Sequence, residues 1–136
     1  MTIGSIAAEI IVDDILSSNQ EILSAGVIDR SGNIIANKSK DSFRKRFEEV
    51  RRLEYNRYSG TLAIAALGVA SEVKDVFGEP QAIITIYRGC KLMLLPMPSY
   101  DILIGFALEL SSNVGINNNN TFAKEMERLV ARTLKP

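Results

Sequence analysis

The sequence predicts an α+β domain in which helices flank an antiparallel sheet, and three observations predict it. Residues 82–88, 91–97 and 102–110 are short runs rich in Ile, Leu, Tyr and Phe, punctuated by Arg88-Gly89 and Pro98-Ser99. That is the pattern of three consecutive antiparallel strands. Two earlier runs, VIDR at 27–30 and NIIAN at 33–37, flank Ser31-Gly32 and read as a hairpin. Stretches with helical spacing of apolar residues precede, separate and follow these strands.

Taken in order, residues 5–23 read as a helix. Ile6, Ile10 and Ile11 recur at helical spacing, and Ile15, Ile22 and Leu23 continue the apolar content. Ser5 is placed to cap the start, Glu9 favours the positive end of the dipole, and Gly26 serves as a stop. This helix covers one sheet face; a part in self-association is the alternative. In the hairpin that follows, Gly32 supplies the positive φ of a tight turn, beside Asp29 and Asn33. One acid without regular ligand spacing fits turn chemistry better than a metal loop.

Residues 41–57 form a highly charged helix capped by Asp41 or Ser42. Phe43, Phe47, Val50 and Leu53 make one apolar stripe, and Arg44, Lys45, Arg51 and Arg52 occupy the other sides. Those four bases are a solvated face or, alternatively, a surface for an acidic partner, phosphate or nucleic acid. Residues 60–77 form a helix that is small or apolar nearly all round and therefore buried on more than one side. One side lies on the sheet and the other on the charged helix or a second subunit. Gly68 costs about 1 kcal/mol relative to Ala in a helix, which close packing explains. Gly78 and Pro80 end it. After the three strands, residues 111–120 are a polar loop leading to an amphipathic helix at 121–134, striped by Phe122, Met126, Leu129, Val130 and Leu134.

At 136 residues, with 46% hydrophobic and 24% charged residues, the chain is one globular domain. Lys plus Arg equals Asp plus Glu at 16 each, which gives no global pull toward nucleic acid or an anionic membrane. The charge is uneven, however: acids dominate residues 1–37 and bases dominate 38–57, so the two regions can meet within one chain or across a dimer. There is no His and only Cys90, so a tetrahedral zinc site and His general-base chemistry are excluded, as is an intrachain disulfide. No phosphate-binding glycine motif occurs. Cys90 lies between Arg88 and Lys91 but has no base, and Asp13 and Asp14 point in different directions on their helix. The start, MTIGSIAAEIIVDDI, lacks a basic leader, and no apolar run reaches the ~20 residues that span a bilayer. A cytoplasmic protein without cofactor, metal, catalytic residues or membrane insertion is expected.

The element order is α, β-β, α, α, β-β-β, α, or αββαβββα without the charged helix. With the phrases VIDRSGNIIAN and ITIYRGCKLMLLPMPSYDILIGFALE, it resembles the roadblock/LC7 superfamily, as a divergent prokaryotic or archaeal branch. The motifs are an Asp-x-x-Gly turn (Asp29 to Gly32), an Arg-Gly turn (Arg88, Gly89) and a Pro-x-x-Tyr-Asp link (Pro98, Tyr100, Asp101), and the resemblance covers residues 5–134. Profilin-like and PAS-like domains share parts of this layout, and the charged helix at 41–57 departs from it. The resemblance implies a five-stranded antiparallel sheet of order 2-1-5-4-3 with helices on both faces. It also implies a non-catalytic homodimer joined through third-strand edges and apolar helices. Here that interface corresponds to Ala63, Ala66, Leu67, Ala70, Ile84 and Ile86. A small Ras-like GTPase or another protein is the implied partner. The alternative is a PAS-like sensor holding a small molecule between sheet and helix, lined by Tyr87, Met93, Met97 and Phe106.

Overall fold

The computed structural model describes residues 3–45, 64–69, 71–114 and 119–134. Its sheet has five antiparallel strands: β1 (Ile22–Asp29), β2 (Ile34–Ser39), β3 (Ile83–Ile86), β4 (Lys91–Met97) and β5 (Ile102–Leu108). Their order is β2-β1-β5-β4-β3, as the resemblance implied. One face is covered by α1 (Ser5–Ser18) and α4 (Asn119–Leu134). The other meets α2 (Asp41–Arg44) and helical residues at 64–69, followed by α3 (Lys74–Phe77).

Strict alternation along β5 divides the core. Ile102, Ile104, Phe106 and Leu108 face the α1–α4 layer, where they meet Ile11, Ile15, Met126 and Val130. Leu103 and Ala107 face the opposite side, in smaller clusters with Ile28 and with Leu23 and Phe43. Phe122 sets its ring against Phe106 at 5.5 Å between centroids in an edge-on arrangement. The stripe expected on the last helix is the buried one: Phe122, Met126 and Val130 are enclosed, while Leu129 and Leu134 pack at the margin.

Four local expectations are corrected. The first helix ends at Ser18, and Ile22 and Leu23 begin β1 instead of continuing it. Gly26 is no helix stop: it sits mid-strand between Asn37 and Gly105, where a Cβ would come within 3.4 Å of the Ala36 carbonyl. The caps also shift by one residue, to Gly4 for α1 and Lys40 for α2, each without a side-chain capping bond. Within 60–77 the helix is interrupted, because Val73 leaves helical geometry (φ −111°, ψ 7°) before α3 begins. Gly78 then ends α3 at φ 87°. Of the charged helix expected at 41–57, Asp41–Arg44 is seen, with Phe43 buried; residues 46–57 lie outside the described residues.

The β1–β2 turn is built around Asp29. Its carboxylate accepts the Ser31 and Asn33 N–H groups at 2.8 and 2.9 Å and Asn33 Nδ2 at 3.0 Å. Gly32 takes φ 87°, the left-handed conformation that suits glycine. Burial pushes the Asp29 carboxyl up, but hydrogen bonds from Asn33, Ser31 and Gly32 outweigh it and hold the pKa below its ordinary value. Across the sheet end, Arg30 pairs with Asp101 at 2.7 Å, and Asp101 itself adopts positive φ. At the other end Lys91 is a buried cation, donating to the Ser112 carbonyl at 2.5 Å. Ser112 Oγ donates in turn to Glu21 at 2.9 Å and accepts the Val114 N–H at 3.2 Å. This ties the connection after β5 to the start of β1.

The acidic start and basic middle do meet within one chain: Lys38 on β2 reaches Asp13 on α1 at 2.8 Å. Hydrogen bonding to Asp13 raises the Lys38 pKa above its ordinary value, against a small desolvation cost. Asp14 is engaged separately, by Arg132 at 3.5 Å, so the two adjacent acids serve different partners.

Two measurements check this description. Met126→Ala, in the centre of the helix-side core, is expected to cost about 2–5 kcal/mol in urea unfolding, whereas Ile6→Ala on the outer side of α1 stays within about 0.5 kcal/mol. Because the folded-state pKa of Asp29 is depressed, its stabilisation is complete above the unfolded value and lost as pH falls through the folded one. Asp29→Asn should therefore lower the urea midpoint at neutral pH, and the gap from the parent should close as the folded-state carboxyl becomes protonated in acid.

Candidate protein-interaction surface

The two sheet edges differ in chemistry. β2 carries Lys38, which discourages edge-to-edge pairing. β3 is Ile-Ile-Thr-Ile, without a charge, and its outer edge has no strand beside it among the described residues. Such an edge offers a row of backbone donors and acceptors to another chain. Ile86 is 66% exposed and Tyr87 follows it on the surface.

A second exposed apolar feature is the segment at 64–77, of which residues 65–69 stand across a cavity from Ile83, Thr85 and Tyr87. Val76 and Phe77 are 78% and 80% exposed, and Ile64, Val69 and Val73 are also open to solvent. Large apolar side chains grouped in this way mark an interaction site more often than isolated ones do. The sequence suggested an interface at Ala63, Ala66, Leu67, Ala70, Ile84 and Ile86. Leu67 turns toward Ile28 and Leu103, and Ala66 looks into a cavity above the sheet. Ile84 packs at the margin of the helix-side core, whereas Ile86 faces outward. Ala63 and Ala70 lie outside the described residues. Val76 and Phe77, exposed in the structure, stand in the sequence only as a helix end before Gly78-Glu79-Pro80.

The cavity measures about 310 Å³ and lies between the sheet and helical residues 65–69, over Ser24, Gly26, Gly105 and Ala107. These small residues leave the room. A register shift between Ile22 and Ser24 turns Leu23 and Ser24 to the same side, and Ser24 Oγ donates to the Lys38 carbonyl at 3.2 Å. Of the residues suggested for a ligand pocket, Tyr87 lines this cavity; Met93 and Phe106 border it but, like Met97, belong to the helix-side core.

Of the bases suggested as a partner surface, Arg44 pairs with Asp41 one turn earlier and Lys45 is exposed. Arg51 and Arg52 lie outside the described residues. Cys90 is half-buried near Leu23, Phe43 and Ala107, and Lys91 directs its ammonium to Ser112. Among the described residues there is no group of three metal-ligating side chains, and no helix is long and apolar enough to cross a membrane.

The architecture matches solved structures over nearly the whole chain. A roadblock/LC7 domain from Streptomyces avermitilis superposes with a TM-score of 0.65 at 11% identity, over 91% of this chain and 92% of its own. The fold is roadblock/LC7-like. Myxococcus xanthus MglB aligns over 100% of this chain and 96% of its own, with a TM-score of 0.66 and 8% identity. The gliding protein MglB from Thermus thermophilus aligns over 98% and 92%, with a TM-score of 0.63 and 17% identity. No family model and no curated protein matches the sequence. The roadblock/LC7-like chain thus keeps the fold through packing and topology, with little identity of residues.

Proposed function

We propose that this protein is a non-catalytic dimeric scaffold whose partner is a small Ras-like GTPase, working in the cytoplasm. In this reading the chain is a single domain, and the 41–57 segment is an addition to it. The observations that carry the dimer are the exposed apolar side chains Val69, Val73, Val76 and Phe77 and the uncharged edge of β3. Pairing two β3 edges would continue the sheet across a two-fold axis and bring the two apolar segments together. The roadblock resemblance supports the GTPase, since members of that superfamily often regulate such proteins. The likeness to two MglB structures is in keeping with it, although fold alone does not imply function.

Light scattering over a concentration series tests the dimer, with a mass of two chains expected. Ala66→Arg should weaken it, but Ala66 faces the cavity, so this change also strikes the fold. Val76→Asp with Phe77→Asp is the cleaner test: a weaker dimer with unchanged circular dichroism supports the interface, and an unchanged mass overturns it. Arg44→Glu should leave the dimer intact. Calorimetric titration with small Ras-like GTPases of the same organism, in both nucleotide states, decides the partner, and no binding in either state would count against it.

The cavity favours a second reading, a sensor domain that holds an apolar small molecule. Native mass spectrometry of the purified protein should then show a retained adduct; a bare chain mass speaks for the scaffold.

A further inference from the structure

We propose that the cavity above the sheet is a site for an unbranched alkyl chain ending in an uncharged, hydroxyl-bearing head, which rests on the reading that this cavity holds an apolar molecule. The strand register fixes the shape of the site. Asn37, Gly26, Gly105, Leu94 and Ile83 are successive partners across β2, β1, β5, β4 and β3, and all of them line the cavity. The row beside it runs from Ser24 through Ala107 and Leu92 to Thr85. The cavity is therefore a trough laid across the strands, roughly 19 Å from β2 to β3 at the usual strand spacing. It is also narrow. A Cβ on Gly105 would stand 3.4 Å from Ile28 Cδ1 and 3.6 Å from Leu94 Cδ2, so the walls close in on either side of the glycine. A volume of about 310 Å³ drawn out over that length admits one chain and no fused ring.

The lining sets the chemistry. Among the described residues no Asp, Glu, Lys or Arg borders the cavity, so a carboxylate or ammonium head would lose its water without gaining a counter-charge. Toward β2 the polar atoms already serve one another. Ser24 Oγ donates to the Lys38 carbonyl at 3.2 Å and accepts from Ser39 Oγ at 3.0 Å, and Asn37 Oδ1 stands 3.5 Å from the same hydroxyl. Toward β3 the trough opens to solvent, where Thr85 and Tyr87, two residues apart, bring hydroxyls to its rim. A hydroxyl head seated there can both donate and accept. The chain behind it lies over Leu92 and Ala107 and ends above Gly26, with Ala65 and Ala66 across the trough from it.

Calorimetric titration of the full chain with n-decanol, with decanoate and with the compact alcohol adamantanol tests the site. Decanol should bind at a single site, decanoate should be at least about tenfold weaker, and adamantanol should be silent. Gly105→Ala sets a methyl between Ile28 and Leu94 at ordinary contact distance, and Ala66→Leu fills the trough from the helix. Each should weaken decanol about tenfold with circular dichroism unchanged. Thr85→Val with Tyr87→Phe should weaken it about threefold to tenfold. Decanoate binding as tightly as decanol overturns the uncharged head. Adamantanol binding in place of decanol overturns the chain, while leaving an apolar ligand in the cavity. Decanol that binds folded Gly105→Ala and Ala66→Leu as it binds the parent sits elsewhere, and the proposal falls. Decanol that fails to bind a protein carrying another adduct overturns the proposal alone; no binding of any probe to a protein of bare native mass overturns the cavity reading with it.

Discussion

β1 is hydrogen-bonded along both edges, to β2 and to β5, and is enclosed from Ile22 to Ile28. A strand in that position has to present apolar or small side chains on both faces, since a polar group there has no water. Ile22, Ala25 and Val27 serve the helix side, and Leu23, Gly26 and Ile28 the other. Ser24 is the exception, and its hydroxyl is satisfied by the Lys38 carbonyl and Ser39. The placement of α1, the depth of the α4 stripe and the cavity on the far face all follow from what β1 exposes on each side.

The strands that alternate cleanly were legible in the sequence: β4, β5 and the hairpin turn at Ser31-Gly32 stand close to where their patterns put them. β1 was legible only in its second half, VID at 27–29, because Ser24-Ala25-Gly26 has low strand propensity and Ile22-Leu23 extends a helical spacing. Burial between two neighbours overrides that local preference. The interruption at Val73 was hidden for a similar reason, since Val73 fits the apolar texture of the residues around it. The candidate surface was half legible. An excess of apolar surface on 60–77 could be seen without coordinates, but which side chains carry it depends on the direction each residue faces. Ala66 and Leu67 look toward the sheet, and Val76 and Phe77 look away.

The two faces of the sheet are finished differently. The α1–α4 face has a continuous core of large side chains, including the Phe106–Phe122 contact and fully buried Met126. Among the described residues, the opposite face holds two small clusters separated by glycine, alanine and serine, with a cavity above them. A well-packed face supplies rigidity, and a loosely filled one supplies room for change. Helical residues 65–69 and the β3 residues Ile83 and Thr85 both line that cavity.

The order in which the strands are made differs from the order in which they pair. β1 and β2 come early in synthesis, but β5, which completes the other edge of β1, is the last strand to leave the ribosome. Until then the nascent hairpin holds its most apolar strand with one edge unpaired, and the α4 stripe that closes the core is made later still. Long-range pairing of this kind folds slowly and leaves the growing chain open to wrong partners. For this protein the cell must keep β1 out of trouble for most of the time it takes to translate the chain.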